Sequence, residues 1–572
     1  MRGRPTRSGT GGRPLAPPSA ATPASAAALD RWAFPCLAAF IFLMSACHLY
    51  YALFSRVPPS TDEAHYMSGA LSMANGIRTG TLRGAWEGYQ NALGFKAPLV
   101  CVPAALLMLT TGGLILPAML SLVGEFAALG LAAYWLFLRC VRPFQAAVAA
   151  ALLLTMPLIT GLTHRYYVEL LFGLLGVVYV GLLIREPWRS PAGSLLVGVV
   201  LGLGALCKIS FGAFVSVPTA FSLGAAVLLH RRKGLAIIGN AALAGAAAAA
   251  VAGSWYAKNW AATLHHARIS TETSAATEWL YYPHWIQADL SAGPGVIIFV
   301  VALAGATALS RQWRSGLLTA EQRKAWRLVL LLTLTSIVLL SSTINKMTRY
   351  TVLTLPAAAL LAVVAWPEPG SKRWSRYGMI ALVAVCSALA LHISFGILPL
   401  GEVRIGDIRI IGSHFPLNVP DWYEDNRPLD RRNFRLEEAE AIIARDARTR
   451  LPGRRAEART TVLNLLVDHD YFQVLAALHQ SPVNYTWWPG STASGPQAPD
   501  YILGFEGFES VCPGREFHNY YPGLKDDVSS GRVPYTLLAE LDGPVGASIS
   551  IYAKQPAAPE GSRAASYAQP GR

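Results

Sequence analysis

The sequence predicts a polytopic α-helical membrane protein of about eleven transmembrane helices, followed by a small C-terminal α/β domain on the outer side. Three observations predict it. Apolar runs of spanning length recur from Trp32 to Leu400, and a helix that crosses the hydrocarbon core needs about 20 such residues each time. Hydrophobic residues make up 53% of the 572 and charged residues only 14%, with a mean hydropathy of +0.36. Beyond Leu400 the composition turns charged and mixed, and the patterns shorten to those of soluble helices and strands.

Taken in order, residues 1–30 are rich in Ala, Pro, Gly and Arg and hold no apolar run, so they read as a disordered cytoplasmic tail and not as a cleaved signal peptide. The spanning runs that follow are 33–54, 117–138, 144–162, 166–184, 192–207, 209–229, 234–256, 293–310, 327–342, 350–366 and 377–399. A further run, 97–112, is resolved by charge. If it lies along the interface without crossing, Arg139/Arg142, Arg185/Arg189, Arg231/Arg232/Lys233, the basic residues from Arg311 to Arg327, and Lys372/Arg373/Arg376 all fall inside; if it crosses, all fall outside. The bias of basic residues toward the cytoplasmic side selects the first arrangement. The expected organisation is a transmembrane domain, 31–400, with a long first outer loop, 55–116, and an extracytoplasmic α/β domain, 401–572. The protein is thus expected in the cell (inner) membrane as a multi-pass chain with a cytoplasmic N-terminus.

Within the C-terminal domain, "LEEAEAIIARDARTRL" and "YFQVLAALHQ" carry helical periodicity, "TVLNLLVD" and "YILGF" read as strands, and "YTLLAELDGPVGASISIYAK" reads as a hairpin turning at "DGPVG". No repeat of fixed period is evident. The formal charge of +14 sits in short clusters between apolar runs, which is a topological pattern and excludes a nucleic-acid partner. Seven scattered cysteines, of which only Cys512 belongs to the C-terminal region, exclude a disulfide framework, and no metal-ligand spacing is present.

The parity of the spans brings most polar groups capable of chemistry to the outer face. Foremost is "DEAHYMSGALSMANG", which opens with Asp62 and Glu63 just beyond the first span. Two readings stand side by side: acids in the first turn of a helix capped by Ser60 or Thr61, or a carboxylate at the water–lipid boundary that removes a proton from an attacking hydroxyl.

With "GFKAPLV", "THRYYVELLFGLL", "CKISF" and "NKMTRYTVLTLPAAALL" following in order, residues 35–400 resemble the membrane-embedded polyprenyl-phosphate-sugar-dependent glycosyltransferases of GT-C type, the superfamily of protein O-mannosyltransferases and lipid A aminoarabinose transferases. The resemblance implies a GT-C-like fold and a catalytic Asp in the first outer loop, Asp62, with Glu63 beside it. It further implies a second acid, Glu169, and a phosphate-contacting Lys96. Lys346, Arg349 and Tyr350 would hold the lipid-linked phosphate, with Arg165 and Lys208 as further cationic candidates. The sequence departs from the family in having Ala97 and Pro98 after Lys96 where two prolines are common, and in the Val168–Glu169 setting of the second acid. Glu125 lacks the Arg that usually follows close behind and reads as structural.

The implied partners are a polyprenyl-phosphate sugar donor, membrane lipids, and a glycan, lipid or protein acceptor; the one cofactor the acids could organise is a divalent cation. The implied reaction passes through an oxocarbenium-like state, with a carboxylate on the far side of the ring taking the proton, cations stabilising the departing phosphate, and inversion at the sugar. Interfacial anchoring is the competing reading for Lys346, Arg349, Tyr350 and Arg165. His265 and His266 in the 257–292 loop are adjacent and diverge on a helix, so an acceptor-binding loop is the better reading there than a metal site. Asp468-His469-Asp470 is an acid pair of the nucleotide-sugar type at a strand end, without a phosphate-cradling glycine loop. Two other classes of function fit the composition: a transporter or lipid flippase, which would carry ionisable residues in mid-span, and a non-catalytic anchor presenting the C-terminal domain.

Overall fold

The computed structural model describes residues 24–272, 294–342, 348–367, 372–395, 403–405, 408–411, 433–463, 469–487, 498–508 and 518–556. The first helix, α1 (Ala24–Phe54), begins before the expected limit of the tail and carries Pro35 in its interior. The loop that follows folds into three helices, α2 (Thr61–Arg78), α3 (Leu82–Asn91) and α4 (Cys101–Thr111). α2 and α3 approach so closely that a Cβ on Gly76 would sit 2.5 Å from the Gly84 carbonyl oxygen. α4 is the ambiguous apolar run; at 11 residues it is short for a crossing, and it packs against α2.

Next come α5 (Ile115–Phe137), α6 (Pro143–Leu154), α7 (Pro157–Thr163), α8 (Glu169–Ile184), α9 (Pro191–Cys207), α10 (Phe211–Leu229) and α11 (Gly234–Glu272). Pro157 splits the run expected at 144–162 into α6 and α7, which meet at 61°. The remaining membrane helices are α12 (Pro294–Arg314), α13 (Ala320–Ser342), α14 (Leu355–Val364), which a 3₁₀ turn at Thr348–Thr354 precedes, and α15 (Arg373–Phe395). Among the described residues, seven helices are long and apolar enough to cross a membrane, or eight with the α6–α7 pair taken as one span, and four shorter apolar helices lie among them. This is the build of a multi-pass membrane protein.

Ion pairs gather at the two ends of the bundle. At one end, Arg142 meets Asp30 at 2.8 Å, Arg139 meets Glu321 at 3.0 Å, and Lys324 meets Glu186 at 3.1 Å, tying the ends of α1, α5, α6, α8 and α13. The other end carries the loop helices α2, α3 and α4.

The C-terminal region begins with a short hairpin, β1 (Val403–Ile405) and β2 (Ile408–Ile411). α16 (Leu436–Arg450), β3 (Ala456–Thr460), β4 (Val462–Leu463), α17 (His469–Leu478), β5 (Val483–Trp487), β6 (Tyr501–Glu506), β7 (His518–Asn519), α18 (Leu524–Ser529), β8 (Tyr535–Asp542) and β9 (Ser548–Lys554) follow. Five strands form one sheet in the order β5-β3-β6-β9-β8, parallel across β5-β3-β6 and antiparallel from β6 to β8. Both helices and the β8–β9 hairpin fall where the periodicity put them. Of the strand expected at 461–468, Val462 and Leu463 are strand β4 and pair with β7, and residues 464–468 lie outside the described residues; the ladder strand of the five-stranded sheet is the earlier β3, whose Ala456, Ala458 and Thr460 alternate inward. β3 hides in the sequence because its inward residues are small and its other positions are Glu457 and Arg459. Asp468 lies outside the described residues, and His469 and Asp470 open α17.

α17 packs on α2, so the C-terminal domain rests on the helix that carries Asp62 and Glu63. Burial is continuous across this contact: Ala64, Met67 and Leu71 of α2 belong to the same buried cluster as Phe472, Val474 and Leu475 of α17.

Candidate active site

The site is assembled at the start of α2. Ser60 takes the N-cap position, and its backbone N–H donates to Glu63 Oε2 at 2.8 Å, the reciprocal half of a capping box. Glu63 is thereby turned inward, where only 1% of it is exposed. Its Oε1 accepts from the Tyr166 backbone N–H at 3.0 Å, and Arg165 Nη1 lies 3.1 Å from its Oε2. Arg165 is itself fully buried, stacks 5.3 Å over the Tyr167 ring and donates to the Tyr167 hydroxyl, which also meets Ser60 Oγ at 3.1 Å. Glu63 and Arg165 therefore join α2 to the 164–168 turn behind the site. This turn is also the reason α8 starts at Glu169 and not at 166: Tyr166 and Tyr167 are spent on that junction.

One residue earlier on the helix, Asp62 faces the other way. Its Oδ1 accepts from Lys96 Nζ at 2.6 Å and its Oδ2 from Arg349 Nη2 at 3.0 Å. Arg349 reaches on to Glu169, with Nε 3.6 Å from Oε1, and the same Oε1 accepts from Lys208 Nζ at 3.0 Å. Two acids and three cations from α2, the 92–100 loop, α8, the end of α9 and the 3₁₀ turn before α14 thus form one chain, Lys96–Asp62–Arg349–Glu169–Lys208. Aromatic faces support it: Arg349 lies 4.3 Å over Tyr167, and Lys208 lies 3.6 Å over Tyr350.

The loop bearing Lys96 is held by backbone bonds. Leu99 N–H donates to Leu206 O at 3.0 Å, linking it to the end of α9 beside Lys208. The Tyr166 hydroxyl donates to Val100 O at 2.8 Å, linking it to the Glu63 junction. Gly94, at φ +69°, makes the turn that a side chain would strain.

Burial by itself would raise the Asp62 carboxyl, but Lys96 and then Arg349 overrule it and hold the group well below the usual carboxylate range. Asp62 is therefore ionised at neutral pH. Three cations against two ionised acids leave the cluster with an uncompensated positive charge, which suits an anionic ligand.

Of the residues singled out in the sequence, Asp62, Lys96, Glu169, Lys208, Arg349 and Tyr350 meet here, Glu63 and Arg165 sit behind them, and Lys346 lies outside the described residues. Tyr167 is the residue sequence reasoning passed over, although its place in "HRYY" beside Arg165 was the available signal. Glu125 is buried on α5. Among the described residues, no group of three or more His, Cys, Asp and Glu side chains is arranged to hold a metal. Asp62 and Glu169, the acids available to a divalent cation, already face Lys96, Arg349 and Lys208. A further cation there would meet like charge, so the donor set does not fit one.

No protein-family model matches the sequence, and no curated protein matches it. Solved structures do. The crystal structure of ArnT from Cupriavidus metallidurans bound to undecaprenyl phosphate matches with a TM-score of 0.54 at 13% identity, covering 91% of this chain and 98% of that one. The same enzyme in the apo state matches with a TM-score of 0.53, again at 13% identity and with 91% and 98% covered. AglB from Archaeoglobus fulgidus, in complex with an inhibitory peptide and a dolichol-phosphate, gives a TM-score of 0.45 at 10% identity over 92% of this chain and 75% of that one. At these identities the likeness to ArnT is one of fold, over nearly the whole of both chains: this protein has the GT-C architecture of the lipid A aminoarabinose transferase.

Proposed function

We propose that this protein is an inverting glycosyltransferase that moves a sugar from a polyprenyl-phosphate carrier to a hydroxyl of an acceptor on the outer face of the cell (inner) membrane. The observation that carries the reading is the Lys96–Asp62–Arg349–Glu169–Lys208 chain, which sets an ionised carboxylate among cations at one end of a membrane bundle. ArnT, of the same fold, has been crystallised with undecaprenyl phosphate.

In the proposed reaction the donor phosphate binds among Lys96, Arg349 and Lys208, and Tyr350 backs Lys208. A lysine ammonium has three donors and a guanidinium five, so each can hold its carboxylate and a phosphate oxygen together. Asp62 accepts the proton of the attacking hydroxyl, the C1–O bond to phosphate breaks toward the cations, and inversion follows from attack on the face opposite the leaving group. Glu169 positions Arg349 and Lys208, and the Glu63–Arg165 pair positions α2. An apolar cavity of about 220 Å³ between α12, α13 and α14 has Thr351 and Thr354 in its wall, directly after Arg349 and Tyr350, and suits the isoprenoid chain. A larger cavity of about 610 Å³, lined by Arg56 and Ile115 of the membrane domain and by Glu437 and Tyr471 of the C-terminal domain, gives room for an acceptor.

The seven long helices, the α6–α7 pair and α8, α9 and α14 support eleven crossings, with α4 left at the interface and the Arg142–Asp30 end in the cytoplasm. The domain limits proposed with this topology are 31–400 for the catalytic bundle and 401–572 for the extracytoplasmic domain. Asp62→Asn tests the assignment. The variant, inserted and folded as wild type, loses 100-fold or more of its transfer, on the order of what a general base contributes; undiminished transfer refutes it.

A further inference from the structure

Two buried imidazoles take no part in the reaction as proposed. His48, two turns before the end of α1, and His164, just after α7, are 1% and 2% exposed. His48 Nδ1 lies 3.0 Å from His164 Nε2, so one ring donates and the other accepts. Aromatic rings cage the pair. His164 lies flat on Tyr51, with centroids 3.6 Å apart and planes at 3°, while Phe126 of α5 and Phe395 of α15 close on His48 at 4.6 Å and 5.1 Å.

Stability alone would not select two imidazoles here. Apolar rings fill such a space without dehydrating polar atoms, and replacing both partners of a buried hydrogen bond by groups of the same shape is close to neutral or stabilising. His48 Nε2 adds to the burden, because it is enclosed and has no hydrogen-bond partner among the described residues. What an imidazole pair adds is direction: a hydrogen bond fixes the depth and rotation of a ring, where packing fixes mainly its volume. Ionisable side chains inside a membrane bundle are kept for such work.

The segment held in place is the 164–168 turn. Its next three residues build the junction behind the site: Arg165 Nη1 lies 3.1 Å from Glu63 Oε2, the Tyr166 N–H donates to Glu63 Oε1 at 3.0 Å, and the Tyr167 ring lies 4.3 Å under the Arg349 guanidinium. His164 also lines a cavity of about 10 Å³ with Tyr51, Ser55 and Glu63, so α1 meets the junction on its Glu63 side as well. A shift of the turn displaces Tyr167, and the face on which Arg349 rests moves with it.

We propose that His48 and His164 are positioning residues for the lipid phosphate: their hydrogen bond anchors the 164–168 turn to α1 and so sets the place of the Tyr167 ring under Arg349. The inference rests on the glycosyltransferase reading, in which Arg349 contacts that phosphate. Neither imidazole touches the substrate, and the tie acts through Arg349.

The experiment measures binding of undecaprenyl phosphate to the purified full-length chain in lipid nanodiscs, beside the thermal midpoint of each sample. His48→Phe/His164→Phe removes the bond and keeps two rings. It should weaken binding about tenfold, the order of one cation–π contact, with the midpoint unchanged or raised. His48→Asn/His164→Gln, whose amides can restore a hydrogen bond between the two positions, should bind nearly as wild type. Added to Arg349→Met, the double Phe change should weaken binding no further, as action through Arg349 requires. Four results would overturn the role of the pair and leave the glycosyltransferase reading standing: wild-type affinity in the double Phe variant, equal weakening in the Asn/Gln variant, the same tenfold loss in the Arg349→Met background, or a midpoint that falls together with the affinity. A wild type that does not bind undecaprenyl phosphate overturns both.

Discussion

Arg349 offers the sharpest test of the site, because one guanidinium serves both acids. Its side chain is 7% exposed and lies 3.0 Å from Asp62 and 3.6 Å from Glu169. Stripping a buried charge of its partner costs about 3–5 kcal/mol, but neither acid is stripped by Arg349→Met: Glu169 keeps Lys208 at 3.0 Å and Asp62 keeps Lys96 at 2.6 Å. Asp62 is also 38% exposed, so water screens what it loses. The structural cost should fall to about 1–2 kcal/mol on these grounds. The catalytic cost should be larger, since removing one donor from a developing oxyanion costs about 3 kcal/mol, or roughly 100-fold in rate. The assay is single-turnover release of undecaprenyl phosphate in nanodiscs, paired with the thermal midpoint of the same sample. Arg349→Lys, which keeps the charge but not the fork, should fall between wild type and Met. An Arg349→Met enzyme with wild-type turnover would refute the phosphate role. A collapsed midpoint would show that the residue is structural first.

Two further outcomes follow from packing and charge. The His65 imidazole is lowered from 6.5 to about 4 in the folded chain. As pH falls, the unfolded chain takes this proton first, so the stability tied to a neutral His65 is full above about pH 6.5 and is lost progressively toward pH 4, by up to about 3 kcal/mol. Thermal midpoints at pH 7 and pH 4.5 should therefore diverge more for wild type than for His65→Gln, and equal slopes would contradict the burial of the ring. Phe472, fully buried in α17 and stacked on Tyr485 at 5.2 Å, should cost about 3–5 kcal/mol on change to Ala. Because α17 packs on α2, the Phe472→Ala midpoint and transfer rate should fall together. Loss of one without the other would separate the C-terminal domain from the site.

The sequence by itself determined the order of the apolar helices, their break by charged clusters, and the composition shift after Leu400, since hydropathy and helix periodicity are local properties. It also brought out Asp62 and Glu63 together, with both capping and chemistry open to each. The tertiary structure separated the two side chains. Consecutive residues on a helix diverge by about 100°, so only one of the pair can face the Lys96 loop, and the tie of Glu63 to Ser60, Tyr166 and Arg165 leaves that face to Asp62. The same holds for Arg165 and Arg349, which are alike in composition yet lie on opposite sides of the Tyr167 junction, one enclosed behind α2 and the other among the acids. β3 escaped notice because its inward side chains are too small to mark a strand, and its partners β5 and β6 come later in the chain. Contacts between distant segments fix the direction of a side chain, and no window of neighbouring residues contains them.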